Sequence, residues 1–161
     1  MSSNNKSVAR SINTPLFLIL LANSMLWVTS GFGKLTGGVF VPSLNKTLAV
    51  FASNNPNIWF VDFLNQVAIP NYILFGTFTM WGELFSGISV ALAVLYFLFN
   101  KKANNVVLSL LAAGLTAGAF LNLIFWLAAG WTSPSTYSLN ILMFVVEAVG
   151  IFVVLKFFRT S

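Results

Sequence analysis

The chain has 161 residues, 58% of them hydrophobic and 7% charged, with a mean hydropathy of +0.88. A soluble domain carries about 25% charged residues, so this composition is that of an integral membrane protein. Cysteine and histidine are both missing from the sequence. That excludes disulfides, thiol chemistry, iron–sulfur clusters and the usual haem and zinc sites, so any redox role runs through a bound organic cofactor or a partner subunit.

Residues 14–34 are the first expected span. Lys6 and Arg10 precede it in a pattern that superficially resembles a signal peptide, but no small-residue cleavage site follows. The segment therefore reads as a retained span with its helix end at 31–34. Residues 35–69 form the one long connection. Asn55 followed by Pro56 is a helix start: a capping side chain, then proline at the first helical position. From there Trp59, Phe60, Phe63, Leu64 and Val67 recur on one face, with Asn57, Asp62, Asn65 and Gln66 opposite. That is an amphipathic helix, placed flat on the outer membrane surface or as a lid over the bundle. Leu44, Leu48 and Phe51 indicate a shorter helical piece before it. Asn45-Lys46-Thr47 in the same segment is an N-glycosylation acceptor sequence. Pro70 closes the segment and opens the second span.

The second, third and fourth spans cover 70–99, 104–129 and 137–158. Each approaches or exceeds the ~20 residues that cross a ~30 Å hydrocarbon core. The turns between them are short, so the expected fold is an all-α membrane domain, an antiparallel four-helix bundle in one domain over 1–161. The net charge of +5 is topological and not a nucleic-acid signature. Lys6, Arg10, Lys101, Lys102, Lys156 and Arg159 fall on one side of four spans, and Lys34 and Lys46 on the other. The positive-inside rule then puts both termini in the cytoplasm and 35–69 outside the cell membrane.

Two of the three acidic residues, Glu83 and Glu147, lie inside apolar stretches. An ionised carboxylate in hydrocarbon costs several kcal/mol, so such a residue is a functional site or a specific interhelical partner. Polar stripes at helical spacing accompany them. The first span carries Asn23, Trp27, Ser30 and Lys34; the second Gly76, Thr79, Glu83 and Gly87; the third Gly114, Gly118 and Asn122; the fourth Asn140, Phe144, Glu147 and Ile151. Small residues mark close helix approach, which turns Glu83 and Asn122 into the bundle. Counted from Pro70 and Thr136, both glutamates are expected roughly 16–20 Å below the outer helix ends. Glu83, Lys34 and Glu147 are the candidate catalytic residues. Asn122, Trp27 and Trp81 are the candidate cofactor contacts, the two tryptophans as walls for a flat aromatic ligand. Asn23 and Asn140 read as interhelical bridges, and Trp126 and Trp131 as interfacial belt residues.

Three stretches resemble the DoxX/DoxD family of small four-helix membrane proteins: Gly31-Phe32-Gly33-Lys34-Leu35, Trp81-Gly82-Glu83-Leu84-Phe85-Ser86-Gly87, and Phe120-Leu121-Asn122-Leu123-Ile124-Phe125-Trp126 with Ala129-Gly130 beyond it. The DoxD branch is the membrane subunit of thiosulfate:quinone oxidoreductase in thermoacidophilic archaea, and works with a smaller subunit, DoxA. The resemblance implies oxidation of thiosulfate to tetrathionate with electrons passing to a membrane quinone. Lys34 would attract the dianion, and Glu83 would relay quinone protons. A second reading is an accessory subunit beside a terminal quinol oxidase. A third is a small transporter using the glutamates as a proton or cation relay, but no repeat or broken helix supports it. Exposed aromatic and glycine stripes suit self-association or docking in a larger complex, with membrane lipid around both.

Overall fold

The computed structural model describes the backbone of residues 2–100 and 104–158 and the side chains of residues 14–100 and 104–156. Lys101, Lys102 and Arg159, on which the charge asymmetry partly rests, lie outside the described residues, as do the side chains of Lys6 and Arg10. The elements run α1 (Ser2–Gly37), α2 (Phe40–Ser53), α3 (Ile58–Phe63), a π-turn (Leu64–Ala68), α4 (Tyr72–Asn100), α5 (Asn105–Ala129), a 3₁₀ turn (Gly130–Thr132) and α6 (Pro134–Phe158). No strand occurs among the described residues. Four stretches are long and apolar enough to cross a membrane: Thr14–Gly37, Tyr72–Asn100, Asn105–Thr132 and Pro134–Lys156.

The helix α4 packs against both α1 and α5, and α5 against α6. The contacts are close because glycines face them. A methyl at Gly87 would lie 2.7 Å from Val28 N and 2.8 Å from Ser24 O, so α1 and α4 meet backbone to backbone. Gly114 faces Ser86, Ser89 and Val90 in the same way across α4 and α5. Leu20, Val90, Val94, Leu108, Leu111, Leu115 and Val154 fill the half of the bundle away from α2. Outward positions such as Leu18, Ile19, Phe78, Leu92, Phe120 and Phe152 are exposed, as lipid-facing positions require.

The connection is structured and packs on one end of the bundle. Leu44, Leu48, Phe60, Leu64, Ala68 and Ala128 form its core, and Gly76 of α4 lies against Val41 and Leu44. We call this the capped end. Its details depart from the sequence-based expectations at four points. First, α1 does not stop at 31–34 but continues to Gly37, and Gly38 ends it at φ +66°, a left-handed conformation that favours glycine. Second, α3 starts at Ile58 and not at Pro56, because the Asn55 side chain bends the chain ahead of it. Asn55 Oδ1 accepts from Asn57 N at 2.9 Å, while its Nδ2 donates to Leu127 O and Ala128 O at 2.8 and 3.2 Å. Those are orphan carbonyls at the end of α5, so Asn55 caps a different helix from the one expected. Third, the buried stripe is Phe60, Leu64 and Ala68, and Trp59 and Val67 face outward. Fourth, the last turn before Pro70 widens to π geometry, with Ile69 N donating to Leu64 O at 2.8 Å. Proline has no N–H and its ring crowds the carbonyl four residues back, which favours such a shifted register.

Candidate functional site

The helix α1 carries Asn23, Trp27, Ser30 and Lys34 on its inward face, and this stripe meets both glutamates. They are held in two separate clusters.

Glu83 is fully buried and sits beside Lys34 near the capped end. The ammonium donates to Glu83 Oε1 at 2.8 Å, to Glu83 Oε2 at 2.7 Å and to Ser30 Oγ at 2.7 Å. An ammonium has three N–H donors, and all three are engaged. The Phe40 ring of α2 lies 5.1 Å from Nζ, so the cap covers the lysine with an aromatic face. The Lys34 side chain remains 20% exposed. The motif glycines beside it divide in role: Gly31 is pressed against Leu84, with Leu84 Cγ 2.8 Å from where a methyl would stand, and Gly33 meets nothing.

Glu147 is also fully buried, but its partners are neutral. Trp27 Nε1 donates to Oε1 at 2.6 Å, Asn23 Nδ2 to Oε1 at 3.0 Å and Asn122 Nδ2 to Oε2 at 2.7 Å. One carboxylate thus ties α1, α5 and α6 together. Gly118 permits the approach, since a methyl there would strike Glu147 Oε1 and stand 2.7 Å from Ser86 Oγ of α4. Ser86 Oγ and Asn122 Oδ1 are buried without a hydrogen-bond partner.

The candidate residues are therefore brought together in part. Lys34 joins Glu83, and Trp27 and Asn122 join Glu147. The four polar groups do not share one pocket. Nor are the glutamates at equal depth: Glu83 lies eleven residues past Tyr72, the start of α4, and Glu147 thirteen past Pro134, the start of α6. Against α1 the offset is larger, because Glu83 meets Ser30 and Lys34 and Glu147 meets Asn23 and Trp27. This places Glu147 about one to two helical turns deeper, on the order of 5–10 Å. Asn140 does not bridge helices by its hydrogen bond, since Nδ2 donates to Thr136 O one turn back in α6, at 2.8 Å. Trp126 turns its indole N–H into the protein and packs edge-on to Tyr137, whereas Trp131 donates to Ala128 O. Asn23, expected as an interhelical bridge, is one, joining α1 to Glu147 of α6. Ser86 is a site residue that sequence reasoning did not select, signalled by its position one turn from Glu83.

A quinone fits these residues poorly. Trp27 and Asn122 are bonded to Glu147, and Trp81 points the other way, 53% exposed. Trp81 lines an open, lipid-facing groove of about 430 Å³ with Leu84, Phe85, Ile88, Ser89, Leu92 and Leu110. Its walls suit an apolar chain. Its one hydroxyl, Ser89, already donates to Phe85 O and so offers no donor to a quinone carbonyl. Among the described residues no group of three or more His, Cys, Asp or Glu side chains gathers where it could hold a metal ion. Comparison with protein-family models, curated proteins and solved structures finds no match for this chain.

Proposed function

We propose that this chain is a DoxD-like membrane subunit of a quinone-linked respiratory assembly, and that its role there is accessory and not catalytic. The observation that carries the accessory role is the saturation of Lys34. With its three N–H groups on Ser30 and Glu83, it presents no donor to a thiosulfate dianion. Both buried carboxylates act in this reading as interhelical ties, and the outward aromatic faces of α4 and α5 dock against a larger complex. The antiparallel arrangement is supported by the order of contacts: Gly31 meets Leu84 while Phe17 meets Phe97, and Gly118 meets Glu147 while Gly150 meets Leu115. The orientation, both termini cytoplasmic and the cap outside the cell membrane, is supported by the distribution of lysine and arginine.

The test is purification with and without neighbouring subunits, followed by thiosulfate-dependent quinone reduction. The accessory role predicts stable co-purification with terminal oxidase subunits, and unchanged thiosulfate activity in Lys34→Ala and Glu83→Gln. One observation favours the catalytic reading, thiosulfate:quinone oxidoreductase with a DoxA-like partner: Lys34 is partly exposed, so a dianion arriving at the capped end could exchange for Glu83 on the ammonium. Loss of activity in both variants with assembly intact would establish that reading and overturn the accessory one.

A further inference from the structure

Ionised, Glu147 would carry a negative charge with no cation in contact among the described residues. Its three donors are two amides and an indole, all neutral. Every side of the carboxylate is accounted for: α1 presents Asn23 and Trp27, α5 presents Gly118 and Asn122, and α4 presents Ser86. None of these titrates near neutrality. The charged groups further along the same α1 stripe are Lys34 and its partner Glu83, which neutralise each other nearer the capped end. The remaining charged side chains among the described residues, Lys46, Asp62 and Lys156, are exposed. An isolated ionised carboxylate at this depth is costly enough that such groups pair with a counter-charge or take up a proton.

Two further oxygens belong to the cluster. Asn122 Oδ1 and Ser86 Oγ are both buried and both without a partner. Asn122 Oδ1 shares an amide with the Nδ2 that holds Glu147 Oε2. Ser86 Oγ faces Glu147 Oε1 across the space left by the missing side chain of Gly118. A methyl group at that glycine would fill the cradle. The cluster therefore has a surplus of oxygen acceptors, and with Glu147 ionised it would be one positive charge short. Carboxylate, amide and hydroxyl oxygens are hard donors, the type that a small alkali cation takes.

We propose that the Glu147 cluster binds a single positive charge, a proton or a sodium ion, between Glu147, Asn122 and Ser86. This goes beyond the respiratory reading and does not depend on it. The experiment uses the full chain in lipid nanodiscs. Infrared spectra and thermal midpoints are recorded as a function of pH in N-methylglucamine buffer, and as a function of sodium at fixed pH. With a proton as occupant, the wild type shows a protonated-carboxyl carbonyl band at neutral pH that is absent in Glu147→Gln and retained in Glu83→Gln. With sodium as occupant, added sodium raises the wild-type midpoint above that in N-methylglucamine. Ser86→Ala then weakens the sodium response without touching the carboxylate. Glu147→Gln abolishes either response. It is expected to fold, because the amide oxygen keeps an acceptor for Trp27 and Asn23, with a midpoint that depends on neither pH nor sodium. An ionised Glu147 whose spectrum and midpoint respond to neither pH nor sodium would overturn the proposal.

Discussion

The two ends of the α1 stripe solve one problem in different ways. Near the capped end Glu83 meets the ammonium of Lys34, whose side chain is partly exposed. Deeper in the bundle Glu147 meets only neutral donors, one from each of three side chains. The difference follows from access to water. A lysine whose side chain remains partly exposed loses less hydration than one buried at the centre, so an ion pair is less costly near the end of the bundle. The comparison teaches that the two carboxylates, similar as sequence features, differ in what they need. Glu83 is complete within the chain, and Glu147 is short of one charge.

The sharpest way to break the comparison is to remove the lysine. Lys34→Met leaves Glu83 buried and uncompensated, and loss of one partner of such a pair destabilises by about 3 kcal/mol. Adding Glu83→Leu removes the stranded carboxylate, so the double variant is expected to recover most of that loss. Denaturant titration of the single and double variants in micelles checks this. A double variant no better than Lys34→Met would mean that the pair is more than a local staple.

A smaller effect is expected where α1 crosses α4. Gly87→Ala places a methyl against Val28 N and Ser24 O, backbone and backbone-linked atoms that cannot swing aside. Overpacking of this kind costs about 1–3 kcal/mol. Ser24 and Val28 flank Asn23 and Trp27, so the displacement falls on the Glu147 cluster and should spare the Lys34–Glu83 pair. Altered Trp27 fluorescence with unchanged accessibility of Lys34 to amine labelling is the expected signature.

Trp27→Phe comes next. It keeps most of the ring but deletes the N–H on Glu147 Oε1, a loss of about 1–2 kcal/mol for a bond to a carboxylate. Trp81→Phe, on the outward face, should change stability by less than ~0.5 kcal/mol. Equal losses in the two variants, read by the same titration, would contradict the inward and outward placement of the two rings.

How much of this was legible in the sequence depends on what each residue needed in order to be read. The four spans were legible because membrane solvent demands long apolar helices whatever they pack against. The α1 stripe was legible for the same reason, since polar residues at helical spacing have one face to hide on. The pairing of that stripe was not. Whether Lys34 meets Glu83 or Glu147 depends on helix register and start points, and the shift of α4 and α6 by about two residues each reordered the depths. Asn55 was read as a local cap because its neighbours in sequence were visible and the carbonyls of Leu127 and Ala128 were not. The side that Trp81 faces was not legible, because tryptophan suits both a pocket wall and a lipid face, and only the packed neighbours of α4 decide between them.

The smallest prediction separates two glycines that sequence alone treats as equals. Gly31 and Gly33 both belong to the stretch that ends in Lys34, and both lie inside α1. At Gly31 an alanine methyl would press on Leu84 Cγ at 2.8 Å and on Leu84 N at 3.0 Å, so the substitution has to push α1 away from α4. At Gly33 no atom lies within 4 Å of the same methyl. Alanine there carries only the helix-propensity gain over glycine, a stabilisation of about 0.5 kcal/mol. Gly33→Ala should therefore raise the denaturation midpoint slightly and leave amine labelling of Lys34 unchanged, while Gly31→Ala lowers the midpoint and, by pushing α1 from α4 beside Glu83, increases the labelling of Lys34. If Gly33→Ala were instead the more damaging of the two, that face of α1 would be covered by a partner or a second copy of the chain, and the capped end would be a docking surface in addition to an ion-pair site.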